Sequence, residues 1–119
     1  MGIVQHFEIP ADDVERAVAF YATVFGWTSK RASDDLVFID PTDGGPEQVA
    51  IGGDIHQRAD PSHGPTFVVT VESIEDSLAL IETAGGTRHG EIQVLEGEGR
   101  FTYFLDPEGN RVGLWDTLI

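Results

Sequence analysis

One half of the chain repeats the other, and this limits its folds more than anything else in it. Asp13-Val-Glu-Arg-Ala-Val-Ala-Phe-Tyr-Ala-Thr-Val-Phe-Gly26 sits at a constant offset of 60 from Ser73-Ile-Glu-Asp-Ser-Leu-Ala-Leu-Ile-Glu-Thr-Ala-Gly-Gly86. Glu15/Glu75, Ala19/Ala79, Thr23/Thr83 and Gly26/Gly86 are identical, and Val14/Ile74, Val18/Leu78, Phe20/Leu80 and Tyr21/Ile81 are apolar in both. Apolar residues at helical spacing that run into glycine predict amphipathic helices over Val14–Phe25 and Ile74–Ala84. Asp13 and Ser73 are suitable N-caps, because a short side-chain oxygen can accept a backbone N–H of the first turn. A repeat of this kind means one supersecondary unit used twice.

The correspondence continues on both sides of the helices. Phe7/Phe67 and Ile9/Val69 match at the same offset, in stretches (Ile3 to Ile9, Thr66 to Val71) rich in β-branched residues that read as strands. Phe38-Ile39-Asp40-Pro41 matches Phe104-Leu105-Asp106-Pro107, a strand entering a turn in each copy, and Val49-Ala50-Ile51 pairs with Val112-Gly113-Leu114 as a closing strand. Each copy therefore reads strand, helix, strand, strand, turn, strand. Asp54 to Pro65 shows no period and contains two prolines, so it reads as a linker. The expected organisation is one domain, with module one over 3–53, linker 54–65 and module two over 66–116.

Charge narrows the partners. Twenty-one Asp and Glu oppose seven Lys and Arg in 119 residues, for a formal charge of −14. Phosphate-rich partners are repelled by such a surface, so neither nucleic acid nor anionic membrane is expected. Adaptation to high salt and ordinary acidity both account for the charge. Without cysteine there is no disulfide, thiolate metal site or thiol nucleophile. No apolar run approaches the ~20 residues of a membrane span, and Gln5-His6 breaks the first apolar stretch, so neither a span nor a signal peptide is expected. The expected location is the cytoplasm.

The opening Val4-Gln-His-Phe-Glu-Ile-Pro through Phe25-Gly-Trp27 and the closing Tyr103-Phe-Leu-Asp-Pro-Glu-Gly-Asn-Arg-Val-Gly-Leu-Trp115 resemble the vicinal oxygen chelate superfamily. That group includes glyoxalase I, bleomycin-resistance proteins and extradiol dioxygenases. The resemblance implies an α+β fold of two βαβββ modules related by pseudo-twofold symmetry, with sheets curled into a cup, and it implies a homodimer. In metal-binding members, four side chains from the first and last strands of the modules hold a divalent cation. Carried over, those positions fall on His6, Ala50, Thr66 and Gly113, the last usually a glutamate. Only His6 is a strong ligand, and a catalytic site needs about three.

Alternation along the strands then selects the neighbours of these positions. Val4 and Glu8 share a face with His6, Gln48 and Gly52 with Ala50, Val68 and Thr70 with Thr66, and Arg111 and Trp115 with Gly113. Phe7, Ile9, Phe67, Val69, Val49, Ile51, Val112 and Leu114 form the opposite, apolar face. His6 and Glu8 are the candidate catalytic pair, since a histidine beside a carboxylate can move protons. Gln48, Thr66, Arg111 and Trp115 are the candidate ligand-binding residues, with Trp115 and Arg111 suited to stacking on a planar molecule and reading an anion. His56, His63 and His89 fall in linker or loop sequence without metal-like spacing and read as surface residues. Glu96-Gly-Glu-Gly99 lacks the lysine of a phosphate loop and reads as a connection.

Three functions remain open. The chain binds a small organic molecule without a tightly held metal; or it is a lyase, isomerase or dioxygenase using a divalent metal on His6; or it is an interaction domain with a vestigial cup. The ligand count favours the first, so no cofactor is expected, with a divalent metal as the alternative.

Overall fold

The computed structural model describes residues 1–118, which carry eight strands and two helices of an α+β fold. Two compact units emerge, one of residues His6–Pro65 and one of Thr66 onward together with Met1–Gln5. The elements of the first are β1 (Ile3–Ala11) from His6 onward, α1 (Val14–Phe25), β2 (Thr28–Ser33), β3 (Leu36–Asp40) and β4 (Gly52–Gln57). The second has β5 (Thr66–Thr70), α2 (Ile74–Thr83), β6 (Thr87–Leu95), β7 (Gly99–Leu105) and β8 (Arg111–Asp116).

The repeat is realised in the pairing. Strand order is β2-β3-β4-β1 in the first unit and β5-β8-β7-β6 in the second. In each unit the opening strand runs parallel to the closing one, β1 to β4 and β5 to β8, and the remaining pairs are antiparallel. Both helices begin where predicted. The Asp13 carboxylate accepts the Arg16 N–H at 3.0 Å, and the Ser73 hydroxyl accepts the Asp76 N–H at 3.2 Å. Gly26, at φ 73°, ends α1 in the left-handed conformation that glycine adopts without steric cost. α2 stops at Thr83, one residue earlier than expected.

Each helix covers one face of its own strands. Val14, Ala17, Val18 and Tyr21 of α1 pack with Phe7, Ile9, Val37, Ile39 and Ile55. Trp27 completes this core, stacked on Tyr21 at 4.9 Å. Ile74, Leu78 and Ile81 of α2 pack with Val69, Phe104 and Leu114. Phe7, Ile9, Val69, Val112 and Leu114 thus take the helix side that alternation assigned them.

The closing strand of the first unit is not where the sequence placed it. Val49, Ala50 and Ile51 lie before β4, all exposed, Val49 to 98%. They follow a loop closed on itself, in which the Gln48 carboxamide oxygen accepts the Asp43 N–H at 2.9 Å. The strand is instead Gly52-Gly-Asp-Ile-His-Gln57, so half of the expected linker belongs to the sheet. Glycine and aspartate are poor strand formers, but propensity yields to packing here. Ile55 is fully buried in the core, and Gly53 lets the Phe7 ring lie directly on its backbone.

Candidate active site

The parallel register of β1 and β4 sets Glu8 opposite Asp54 and His6 opposite Gly52, while β3 sets Phe38 opposite Asp54. Since Phe7, Ile55 and Val37 face α1, alternation turns His6, Glu8, Asp54, His56 and Phe38 to the other face. There Asp54 is the hub. It is only 4% exposed, and its two carboxylate oxygens are shared between two imidazoles. His6 Nε2 is 2.7 Å from Oδ2 and His56 Nδ1 is 2.8 Å from Oδ1. Phe38 stands edge-on to His6 at 6.5 Å.

Burial pushes the Asp54 carboxyl upward, but the hydrogen bonds and charges of His56 and His6 outweigh it and hold the group below its ordinary value. A carboxylate that accepts from both rings fixes their orientation. Ligand atoms of Glu8, Asp54 and His56 lie within 4.8 Å of one another. With His6 on the same carboxylate, two imidazoles and two carboxylates meet on one face, a donor set suited to a divalent transition metal.

His6 and Glu8 were legible in the sequence; Asp54 and His56 were not. The pairing explains the omission. Glu8 and Val68 occupy the same repeat position, and they pair with Asp54 and Gly113 respectively. The counterpart of Gly113 is therefore Asp54 rather than Ala50. The metal-free expectation counted ligands with Ala50 in that place, and the count rises once Asp54 and His56 are included. His56, read as a surface residue, is a half-buried strand residue hydrogen-bonded to Asp54. An alternation test on 52–57 carries the signal, because Gly53 and Ile55 alternate with Asp54 and His56.

Gln48, taken as a strand residue, sits in the exposed loop and is bound to Asp43. Thr66, Arg111 and Trp115 lie in the second unit, on β5 and β8. The Thr66 hydroxyl donates to the Arg111 carbonyl at 2.5 Å, and the Arg111 guanidinium carbon lies 3.6 Å from the centre of the Tyr103 ring. His63 is half-buried in the segment after β4, and His89 is exposed on β6.

The chain resembles several known proteins. A glyoxylase-like domain-containing protein of Didymella fabae is 27% identical over 117 residues, covering 92% of this chain and 89% of its own. A glyoxalase/bleomycin resistance protein/dioxygenase superfamily member from Vibrio splendidus 12B01 superposes with a TM-score of 0.69 at 15% identity, over 98% of this chain and 99% of its own. Methylmalonyl-CoA epimerase from Mycobacterium tuberculosis gives a TM-score of 0.65 at 14% identity, over 98% and 88%. The sequence pattern of the superfamily matches residues 3–114. The chain belongs to the Glyoxalase/Bleomycin resistance protein/Dioxygenase superfamily.

Proposed function

We propose that the chain binds a small oxygen-bearing organic molecule at a divalent-cation centre for which Glu8, Asp54 and His56 are the protein donors, with His6 hydrogen-bonded to Asp54 beside them. One observation carries this reading: the buried Asp54 gathers two imidazoles, with Glu8 beside it, on a single sheet face. A cation held there would polarise an oxygen of the bound molecule as a Lewis acid. The chain's own contribution is positional. Asp54 gathers both imidazoles at one point of the sheet face. Phe38 adds an apolar surface edge-on to His6.

Metal-free binding is the second reading, supported by the second unit. There Thr66 spends its hydroxyl on a backbone carbonyl and Gly113 has no side chain, so neither resembles a strong ligand. Elemental analysis with calorimetric titration of Zn, Ni, Mn and Fe(II) separates the two. The metal reading expects saturable binding of one ion per chain, weakened about 10- to 100-fold by His6→Ala or Asp54→Asn. No saturable binding of any of these ions would leave the metal-free reading in its place.

A further inference from the structure

We propose that the β7–β8 face of the second unit is a platform for a planar organic acid, with the Arg111 guanidinium as its carboxylate reader. The inference concerns a different set of residues from the cation centre and does not depend on it.

The first observation is an arginine without an acid. In a chain with three times as many carboxylates as cations, Arg31, Arg58, Arg88 and Arg100 find carboxylate partners, and Arg16 and Lys30, which form no ion pair among the described residues, are exposed to water. Arg111 has no such ion pair among the described residues. It lies instead over the Tyr103 ring, and its Nε is buried without an acceptor. A buried N–H with no partner costs roughly 1–3 kcal/mol. A guanidinium already held over an aromatic ring is pre-organised to offer its terminal N–H groups to a carboxylate.

The second observation is the surface around it. Tyr103 stands edge-to-face with Phe101 at 6.3 Å, and Phe101 pairs across the strands with Trp115. Phe101, Tyr103, Arg111 and Trp115 are all half-buried, so each keeps surface open. Gly99 lets the indole of Trp115 lie down on the sheet, since a β-carbon there would come within 2.4 Å of the ring. Three aromatic rings and one unpaired guanidinium match a conjugated skeleton that ends in a carboxylate. The overall charge of −14 opposes anions, which favours a monoanion over a phosphate dianion.

The two tryptophans make the test direct, because Trp27 and Trp115 give separate indole N–H signals in a ¹H–¹⁵N spectrum. The probes are benzoate, benzamide, cyclohexanecarboxylate and phenyl phosphate. Benzoate is expected to move the Trp115 signal saturably and to bind at least about tenfold more tightly than the other three. Arg111→Gln should weaken benzoate about tenfold or more, and Arg111→Lys should keep part of the charge preference while losing the planar one. Matching thermal melts of the variants show that the fold is kept. Tyr103→Leu, which removes the stacking ring and leaves the charge, is the second line of test and should also weaken benzoate. Equal binding of benzoate and benzamide overturns the proposal. So does benzoate binding that survives Arg111→Gln, a shift confined to Trp27, or no saturable shift at all. Benzoate titrated in the presence of a metal chelator should bind as tightly as without it, which separates failure here from failure of the cation centre.

Discussion

Asp116 is the residue whose loss should cost the second unit most. It ends β8, is wholly buried, and accepts the N–H of Ile74 at 2.8 Å, so it anchors the first turn of α2 to the strand that carries Arg111 and Trp115. It also accepts from Arg100 at 2.6 and 2.9 Å and from the Leu118 N–H at 3.1 Å. Asp116→Ala strands the Ile74 N–H, at roughly 1–3 kcal/mol, and removes a charge-assisted pair of similar value. Arg100 keeps Glu75, which it holds through two hydrogen bonds, so the guanidinium is not fully orphaned. The expected loss is therefore about 3 kcal/mol, a fall of roughly 10 °C in Tm for a chain of this length. Glu75→Ala, removing the exposed partner, should shift the midpoint far less. Urea unfolding followed by circular dichroism, with a parallel thermal melt, reads both. A loss below about 1 kcal/mol for Asp116→Ala would refute the anchoring argument, because a buried acceptor of several donors cannot be that cheap to delete. The same network sets an acid limit. Burial raises the Asp116 carboxyl, but Arg100 and the two backbone N–H groups outweigh it, and Arg100 holds Glu75 down to about 2. Groups with depressed folded pKa values contribute stability above their unfolded values near 4, and that stability is lost as pH falls through the folded values. The parent should therefore lose more stability than Asp116→Ala on acidification below about pH 4.

Three further outcomes follow from packing, charge and family. Gly53→Ala would set a β-carbon 2.4 Å from the Phe7 ring, displacing it from Trp27 at about 1–3 kcal/mol, and a red-shifted Trp27 emission would report the displacement. If the charge of −14 is a high-salt adaptation, Tm should climb from dilute buffer to molar KCl, and an unchanged or falling Tm removes that reading. The expected homodimer should show twice the chain mass in light scattering, and a single-chain mass across a wide concentration range counts against it.

The repeat made most of the fold legible, because helices with strong period, cap and glycine stop declare themselves locally. Asp13 and Ser73 cap where the sequence placed them, and the apolar partners of both helices follow from alternation. β4 was illegible for a definable reason. Gly52-Gly-Asp-Ile-His-Gln57 holds one strongly apolar residue, and what makes it a strand is the β1 ladder on one side and β3 on the other. Val49-Ala50-Ile51 has the better strand composition, yet it stays outside the sheet. That one displacement hid half of the candidate cation centre, since Asp54 and His56 ride on the strand that was misplaced. Arg111 and Trp115 were visible as residue types. Their stacking on Tyr103 and Gly99 was not, because it depends on the β7–β8 register.

Gly113 sharpens the difference between the two units. The family resemblance implies a glutamate at this position in metal-binding members, so Gly113→Glu looks at first like a restoration. The surroundings argue otherwise. A β-carbon on Gly113 would meet Val68 Cγ2 at 2.9 Å and Tyr103 Cε1 at 3.4 Å. Val68 is a buried, β-branched residue on the paired strand and has little room to rotate away. Its methyl and the Tyr103 ring already occupy the space through which a glutamate would have to project. Gly113→Ala should therefore cost about 1–2 kcal/mol from overpacking alone, and Gly113→Glu more. Combined with Val68→Ala, which opens the same space, the Gly113→Ala penalty should shrink, giving a coupling of at least about 0.5 kcal/mol in a double-mutant cycle. Additive losses in urea unfolding would show that the two side chains do not compete. Competition is the expected result, because the second unit has used that volume to seat Tyr103 under Arg111.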